Sequence, residues 1–288
     1  MTTSPGSLSS RVAVVMGTNE IASAVAVYLH RDGWRVVLSH DPYPPVIRRR
    51  MAFHDALFGD PAEVGGIQGV LAETSLAVAW LLSQGTVAVT PLGLLDLIPI
   101  TAFGVLVDAR IQKRERHPDL RHLAKLTVGL GPGFAVARNC DIAVETWPER
   151  RGAVVHKGRT EAADGRARLL GGAGAERFAY STEPGHWRCA VDIGTRVFKN
   201  FSIGILNGEA VSAPIDGILR GVVRDGTEVP AGVKLLEIDP RGRNASWTGI
   251  DQRGAKIAQA TLAAIARKLG EAAFAASPAM KKAPAWLM

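Results

Sequence analysis

The stretch Arg11-Val-Ala-Val-Val-Met-Gly-Thr-Asn-Glu-Ile-Ala-Ser-Ala-Val-Ala-Val-Tyr-Leu-His-Arg-Asp-Gly-Trp-Arg-Val-Val-Leu-Ser39 decides the fold. Its first run, Arg11 to Met16, is β-branched and apolar, the signature of a buried strand. A turn follows. From Ile21 to Arg31 the apolar positions Ile21, Ala24, Val25 and Leu29 recur at helical spacing. Gly33 stands where a helix closes, and Arg35 to Ser39 reads as the next strand. Strand, helix and strand within about thirty residues form a βαβ unit, which requires parallel pairing.

Outward from this unit the pattern repeats. Ile67 to Leu71, Thr86 to Val89, Phe103 to Val107 and Leu126 to Gly129 read as buried parallel strands, with a helix over Ser75 to Leu82. The fold class is therefore α/β, an open doubly wound Rossmann-like sheet. Between Val87 and Val107 the only charge is Asp96, so the segment imitates a membrane span. Pro91, Gly93, Pro99 and Gly104 interrupt it, which predicts two short strands and a loop, and no membrane partner.

Beyond Cys140 the texture becomes glycine-rich and hairpin-like, from Asp141 to Thr146, through Ala153 to His156, to Glu237 to Asp239. Two similar phrases follow one another, Val191-Asp-Ile-Gly-Thr-Arg-Val197 and Val223-Arg-Asp-Gly-Thr-Glu-Val229. Each predicts strand, turn, strand, and two such halves facing each other would make a small sandwich with quasi-twofold symmetry. Residues 1–150 are thus expected to form the Rossmann-like domain and 151–246 the β-rich one. Residues 247–276 are expected to hold a C-terminal helix whose stripe Ile257, Ala260, Leu262, Ile265 and Leu269 docks on the body, before a mobile tail at 277–288.

Composition bounds the function. The chain has 288 residues, 47% hydrophobic and 21% charged, with a formal charge of +7 and a sequence pI near 9.7. An anionic small-molecule partner suits that excess, which is too modest to point to nucleic acid. Cys140 and Cys189, the only thiols, suit a reducing cytoplasm, and the polar start before the first strand makes secretion unexpected.

Three segments are candidates for chemistry. The first turn, Gly17-Thr-Asn-Glu20, departs from a dinucleotide fingerprint because Asn19 replaces the glycine that lets a pyrophosphate approach, and His40 stands where an acidic ribose ligand belongs. NAD(P) binding by the standard route is disfavoured; a nucleotide site and a merely structural turn both remain open. In the second, Gly129-Leu-Gly-Pro-Gly-Phe134, the glycines Gly129, Gly131 and Gly133 follow a strand, so backbone amides could converge on an anion, or the loop is a tight crossover. Arg48 and Arg49, in the run Arg48-Arg-Arg50, and Asp108 with Arg110 at a strand end complete the candidate phosphate cleft. His186-Trp-Arg-Cys189 has only two metal-type ligands and reads as a surface loop, so no metal is assigned.

The third segment, Val211 to Asp239, resembles the barrel-sandwich hybrid of biotinyl and lipoyl domains. Its expected tip, Glu237-Ile-Asp-Pro-Arg241, lacks a carrier lysine, and Lys234 lies inside the strand phrase. The order of motifs over nearly the whole chain resembles the accessory proteins of the selenium-dependent molybdenum hydroxylase system. The phrases are Gly17 to Ala24, Pro44 to Phe53 with Ile47-Arg48-Arg49, Val107-Asp108-Ala109, Gly129 to Phe134, Ala213 to Gly217 and Ile238 to Gly242. Asn19, Glu20 and Ala24 depart from the family's Gly, Asp and Gly, and Gly158 to Arg188 has no counterpart.

The resemblance implies a protein that matures or inserts a phosphorylated pterin, the molybdenum cofactor, for a client molybdenum enzyme. Its ligand would lie against Gly17, Asn19, Arg48, Arg49, Asp108, Arg110, Gly129, Gly131 and Gly133. An NAD(P)-dependent oxidoreductase of a small substrate and a non-enzymatic scaffold are the alternatives, with homo-oligomerisation open. No catalytic residue is assigned.

Overall fold

The computed structural model describes residues 11–113 and 115–276. The tail expected at 277–288 lies outside the described residues. The opening unit forms as its pattern requires: β1 (Val12–Met16), α1 (Glu20–Arg31) and β2 (Arg35–Ser39), with β1 and β2 parallel. Around it are β3 (Ala62–Val64), β4 (Ile67–Leu71), α2 (Ser75–Ser83), β5 (Val87–Thr90), α3 (Leu94–Leu97), β6 (Phe103–Asp108) and β7 (Ala124–Leu130). Then come β8 (Ile142–Val144) and β9 (Val154–Val155). These strands make one nine-stranded sheet in the order β3-β4-β5-β2-β1-β6-β7-β8-β9. Only the edge strands β3 and β9 run antiparallel.

Strand alternation sorts the apolar residues onto two faces. Ala13, Val15, Val36, Leu38, Val105 and Val107 pack under α1, together with Ile257 and Ile265 of the terminal helix α4 (Gln252–Ala276). Val12, Val14, Val37, Ala88 and Leu106 pack under Val78, Leu81 and Leu82 of α2 and Leu97 of α3. The apolar stretch Val87 to Val107 is therefore two buried strands, with the short helix α3 where a loop is expected. No helix among the described residues is long and apolar enough to cross a membrane.

The change of texture after Cys140 does not mark the end of the sheet. Ile142-Ala-Val144 is apolar on both faces and pairs parallel with β7, and β9 closes the edge beyond residue 150. The hairpin texture up to Val155 thus belongs to the α/β part.

The β-rich part consists of two four-stranded sheets. One contains β10 (Phe178–Tyr180), β12 (Arg196–Val197), β15 (Gly217–Val222) and β17 (Lys234–Asp239). The other contains β11 (Gly185–Cys189), β13 (Ser202–Leu206), β14 (Glu209–Ser212) and β16 (Glu228–Val229). Trp187, Val197, Ile203, Leu206, Leu219, Leu235 and Ile238 fill the space between them. The repeat is real in its hydrogen bonds. Gly194 N donates to Leu219 O and receives the answer Leu219 N to Thr195 O, both at 2.8 Å; Gly226 N donates to Trp187 O at 2.9 Å and Trp187 N to Thr227 O at 2.9 Å. Each phrase supplies one strand, β12 or β16, after its turn, and no strand before it, so the expected strand, turn, strand is halved; the two strands belong to opposite sheets.

Two local expectations change. His186 to Cys189 is strand β11 and not a loop, with His186 bonded to Glu228 across to β16. Glu237 and Asp239 are fully buried inside β17 and form no exposed tip.

Candidate functional site

The parallel register lines up the ends of β1, β6 and β7, since Met16 pairs with Asp108 and Asp108 with Gly129. Gly17, Asn19, Asp108, Arg110 and Gly129 are therefore brought together at the carboxyl edge, as expected. What they make is a closed network. Asn19 is the N-cap of α1 in extended geometry, its Oδ1 accepting from the amides of Ile21 at 2.9 Å and Ala22 at 3.1 Å. Its Nδ2 donates to Ala109 O at 2.8 Å. The helix amides that would greet a phosphate are already satisfied by this side chain. Gly17 sits at φ +101°, a left-handed conformation that side chains rarely adopt, and a Cβ there would also lie a tight 3.2 Å from Ala109 O and from Arg110 Cα.

Arg110 grips Asp108 bidentately, Nη2 to Oδ2 at 2.7 Å and Nε to Oδ1 at 3.0 Å, and reaches Asp41 at 3.2 Å. Burial disfavours the Asp108 carboxylate, yet His117 and Arg110 outweigh it and hold the group below the usual carboxylate range. His40, at the end of β2, and His54 both bond Thr18 Oγ1 through Nδ1, at 3.1 and 3.0 Å. Burial, with His40, Arg49 and Arg224 nearby, pushes the His54 imidazole down to about 3.

The glycine loop after β7 is packed on itself. A Cβ at Gly129 would collide with the Phe134 ring, and one at Gly133 would sit 3.0 Å from His117, which stacks on Phe134 with centroids 4.0 Å apart. Gly131 N donates to Val144 O. The glycines thus make room for an aromatic stack, which is the crossover reading of this loop and not the anion cradle.

Arg48 and Arg49 form the seam between the two parts. Arg48 bonds Glu237 through Nε at 2.7 Å and Nη2 at 3.2 Å, and Glu20 through Nη1 at 2.8 Å. Arg49 donates to Val222 O at 3.0 Å and pairs with Asp55 at 2.7 Å. Arg177 shares Glu237 at 3.1 Å. Burial raises the cost of the Glu237 charge, but Arg48, Arg220 and Arg177 prevail and hold its carboxyl down at about 2.

Next to this seam lies a half-open cavity of about 590 Å³, lined by Ile111 and Pro132 from the sheet edge, Trp147 and Arg151 from the β8–β9 turn, the 161–170 loop, β15 and β17, and the start of α4. Ten cationic and five acidic side chains line it. Much of this charge is paired, as in Arg168 with Asp164 or Arg220 with Asp251. Arg151, Arg166 and Lys234 have no carboxylate at ion-pairing distance among the described residues, and Arg151 Nε is buried without a hydrogen-bond partner. Trp147 offers a ring, with Arg168 Cζ 4.6 Å from its centroid. Desolvation, with Arg48 and Lys113 close by, lowers the Lys234 ammonium to about 8.

Of the residues expected from sequence to bind the ligand, only Arg48 lines this cavity; Arg49 lines a smaller hollow beside Cys189 and Arg224. Gly17, Asn19, Asp108, Arg110, Gly129, Gly131 and Gly133 stand in the adjoining edge network, and Pro132 alone of the glycine loop reaches the cavity wall. Arg151 and Arg166 escape sequence reading, and Lys234 is read there only as a strand residue, because the three come from distant segments with no motif in common. Among the described residues no group of three or more His, Cys, Asp or Glu could hold a metal ion.

No family model matches the chain. It is 29% identical over 259 residues to the uncharacterized protein YqeB of Escherichia coli strain K12, a match covering 88% of this chain and 47% of that protein. The chain thus spans about half the length of that curated relative. Among solved structures, the product-bound ectoine utilization protein EutE (DoeB) from Ruegeria pomeroyi aligns over 79% of this chain and 52% of its own, at 12% identity and a TM-score of 0.21.

Proposed function

We propose that the chain binds a small polyanion in the cavity beside the Arg48–Glu237 seam, and that this ligand is a phosphorylated pterin, the molybdenum cofactor, handled for a molybdenum hydroxylase-type client. The single observation that carries the reading is the excess of unpaired positive charge around one half-open cavity. Arg151, Arg166 and Lys234 line it without carboxylate partners among the described residues; Arg166 is exposed, while Arg151 Nε is buried without an acceptor, and a buried donor left unpaired is costly unless an anion completes it. The volume of about 590 Å³ lies in the range of small-ligand sites. Arg168 lies against the Trp147 ring in the wall, and arginine forks suit a phosphate. The pterin and the client come from the motif resemblance; the anion comes from the charge.

The nicotinamide alternative has less support. Asn19 already fills the helix N-terminus on which a pyrophosphate would sit. Isothermal titration of the full chain with molybdopterin, pyrophosphate and NADP separates the readings. Binding of molybdopterin tighter than pyrophosphate, weakened by salt, is expected. Binding of NADP alone, or of none of the three, would overturn the proposal.

A further inference from the structure

Lys234 opens β17 and differs from every other cation of the cavity wall whose contacts have been described. Its Nζ stands 3.6 Å from the centroid of the buried Phe178 ring, against which Arg177 also lies at 4.2 Å. The charged groups around it are Arg48 from the segment after β2, Lys113 from the loop after β6, Arg177 from the turn before β10 and Glu237 from its own strand. The one carboxylate in that set is consumed: Arg48 takes both Glu237 oxygens and Arg177 shares Oε1. The ring face attracts a cation, but burial and the cations Arg48, Lys113 and Arg177 disfavour the ammonium there, and an amine in that setting without a carboxylate partner, facing a cavity, is placed as lysine nucleophiles are.

We infer that Lys234 is a nucleophilic amine of this cavity, which captures an aldehyde or ketone carrying a phosphate or carboxylate as an imine. In that step Nζ attacks the carbonyl carbon and a carbon–nitrogen bond forms. The carbonyl oxygen leaves as water with the two amine protons, so no oxidant or reductant takes part. Arg151 and Arg166, which line the same cavity, would hold the ligand's anionic group, and the amine would be delivered uncharged. With its ammonium lowered to about 8, roughly a tenth of Lys234 is neutral at pH 7, against about three parts in ten thousand for an ordinary lysine. The ligand's charge rests on the anion-site reading above; the amine's reactivity does not.

The test is reductive labelling of the full chain at pH 7, read residue by residue by peptide mass spectrometry. Three probes are used: formaldehyde with cyanoborohydride, and pyridoxal or pyridoxal 5′-phosphate with borohydride. Formaldehyde should label Lys234 at least about tenfold faster than the exposed Lys157 and Lys199, with a rate that breaks near pH 8. Pyridoxal phosphate should exceed pyridoxal at Lys234 and not at Lys157. Formaldehyde labelling of Lys234 no faster than of Lys157 and Lys199 would overturn the nucleophile. A formaldehyde preference without a phosphate preference would sustain the amine and overturn the anion site instead.

Discussion

Arg48 Nε lies 2.7 Å from Oε2 of Glu237, a carboxylate with no exposed surface and a partner 189 residues away in the chain. This pair joins the segment that follows the first βαβ unit to the β sandwich. Arg48 also reaches Glu20 in the first turn of α1, and Glu237 also receives Arg177, so one buried carboxylate holds elements from both parts in register.

Replacing Glu237 by Gln leaves Arg48, Arg177 and Arg220 buried without their shared anion. Removing one partner of such a cluster costs about 3–5 kcal/mol. Urea unfolding should show a loss of this size, and a loss below about 1 kcal/mol would mean the seam is not stabilised by this charge.

The same carboxylate predicts an acid limb. Its pKa is held at about 2 in the fold, below the ordinary 4.5, so its contribution is complete above pH 4.5 and fades as pH falls through 2. The difference corresponds to at most about 3 kcal/mol. Stability of the unmodified chain should fall between about pH 5 and pH 2, and the Glu237→Gln variant should be flatter over that window.

Gly129 is explained by the Phe134 ring that covers it. Gly129→Ala should cost about 1–3 kcal/mol through overpacking. The double variant with Phe134→Ala should lose most of that penalty relative to Phe134→Ala alone, because the clashing ring is gone. Additive losses would show that the glycine serves something other than this stack.

Asn19→Ala removes both the cap of α1 and the tether to Ala109. A loss of about 0.5–2 kcal/mol in chemical denaturation is expected for the cap, with no change in the affinity of an anion bound at the cavity. A marked change in that affinity would place the ligand at the first turn instead.

The βαβ start was legible because its periodicity, its helix-closing Gly33 and its β-branched strands all point one way. The sandwich repeat was legible in its two turns, Asp192-Ile-Gly194 and Asp225-Gly226. The site was much less so. Glycine-rich Gly129 to Phe134 has the composition of an anion loop, and nothing local reveals that Phe134 folds back over Gly129. Arg48 and Arg49 look like phosphate ligands in a charge run, but their partners Glu237, Asp55 and Val222 are set by tertiary packing. Conversely Lys234 looked like a strand residue with no role, and only the approach of Arg48, Lys113 and Phe178 makes its amine distinctive.

The central claim is that unpaired cations make the cavity an anion site, and Arg151 is the residue on which it turns. The most direct measurement is calorimetric titration of molybdopterin into the full chain and into Arg151→Ser, with circular dichroism confirming that both are folded. Binding weakened at least tenfold by the substitution, about 1.4 kcal/mol, is the predicted result. Equal affinity in the two proteins, or no binding to either, would contradict the account.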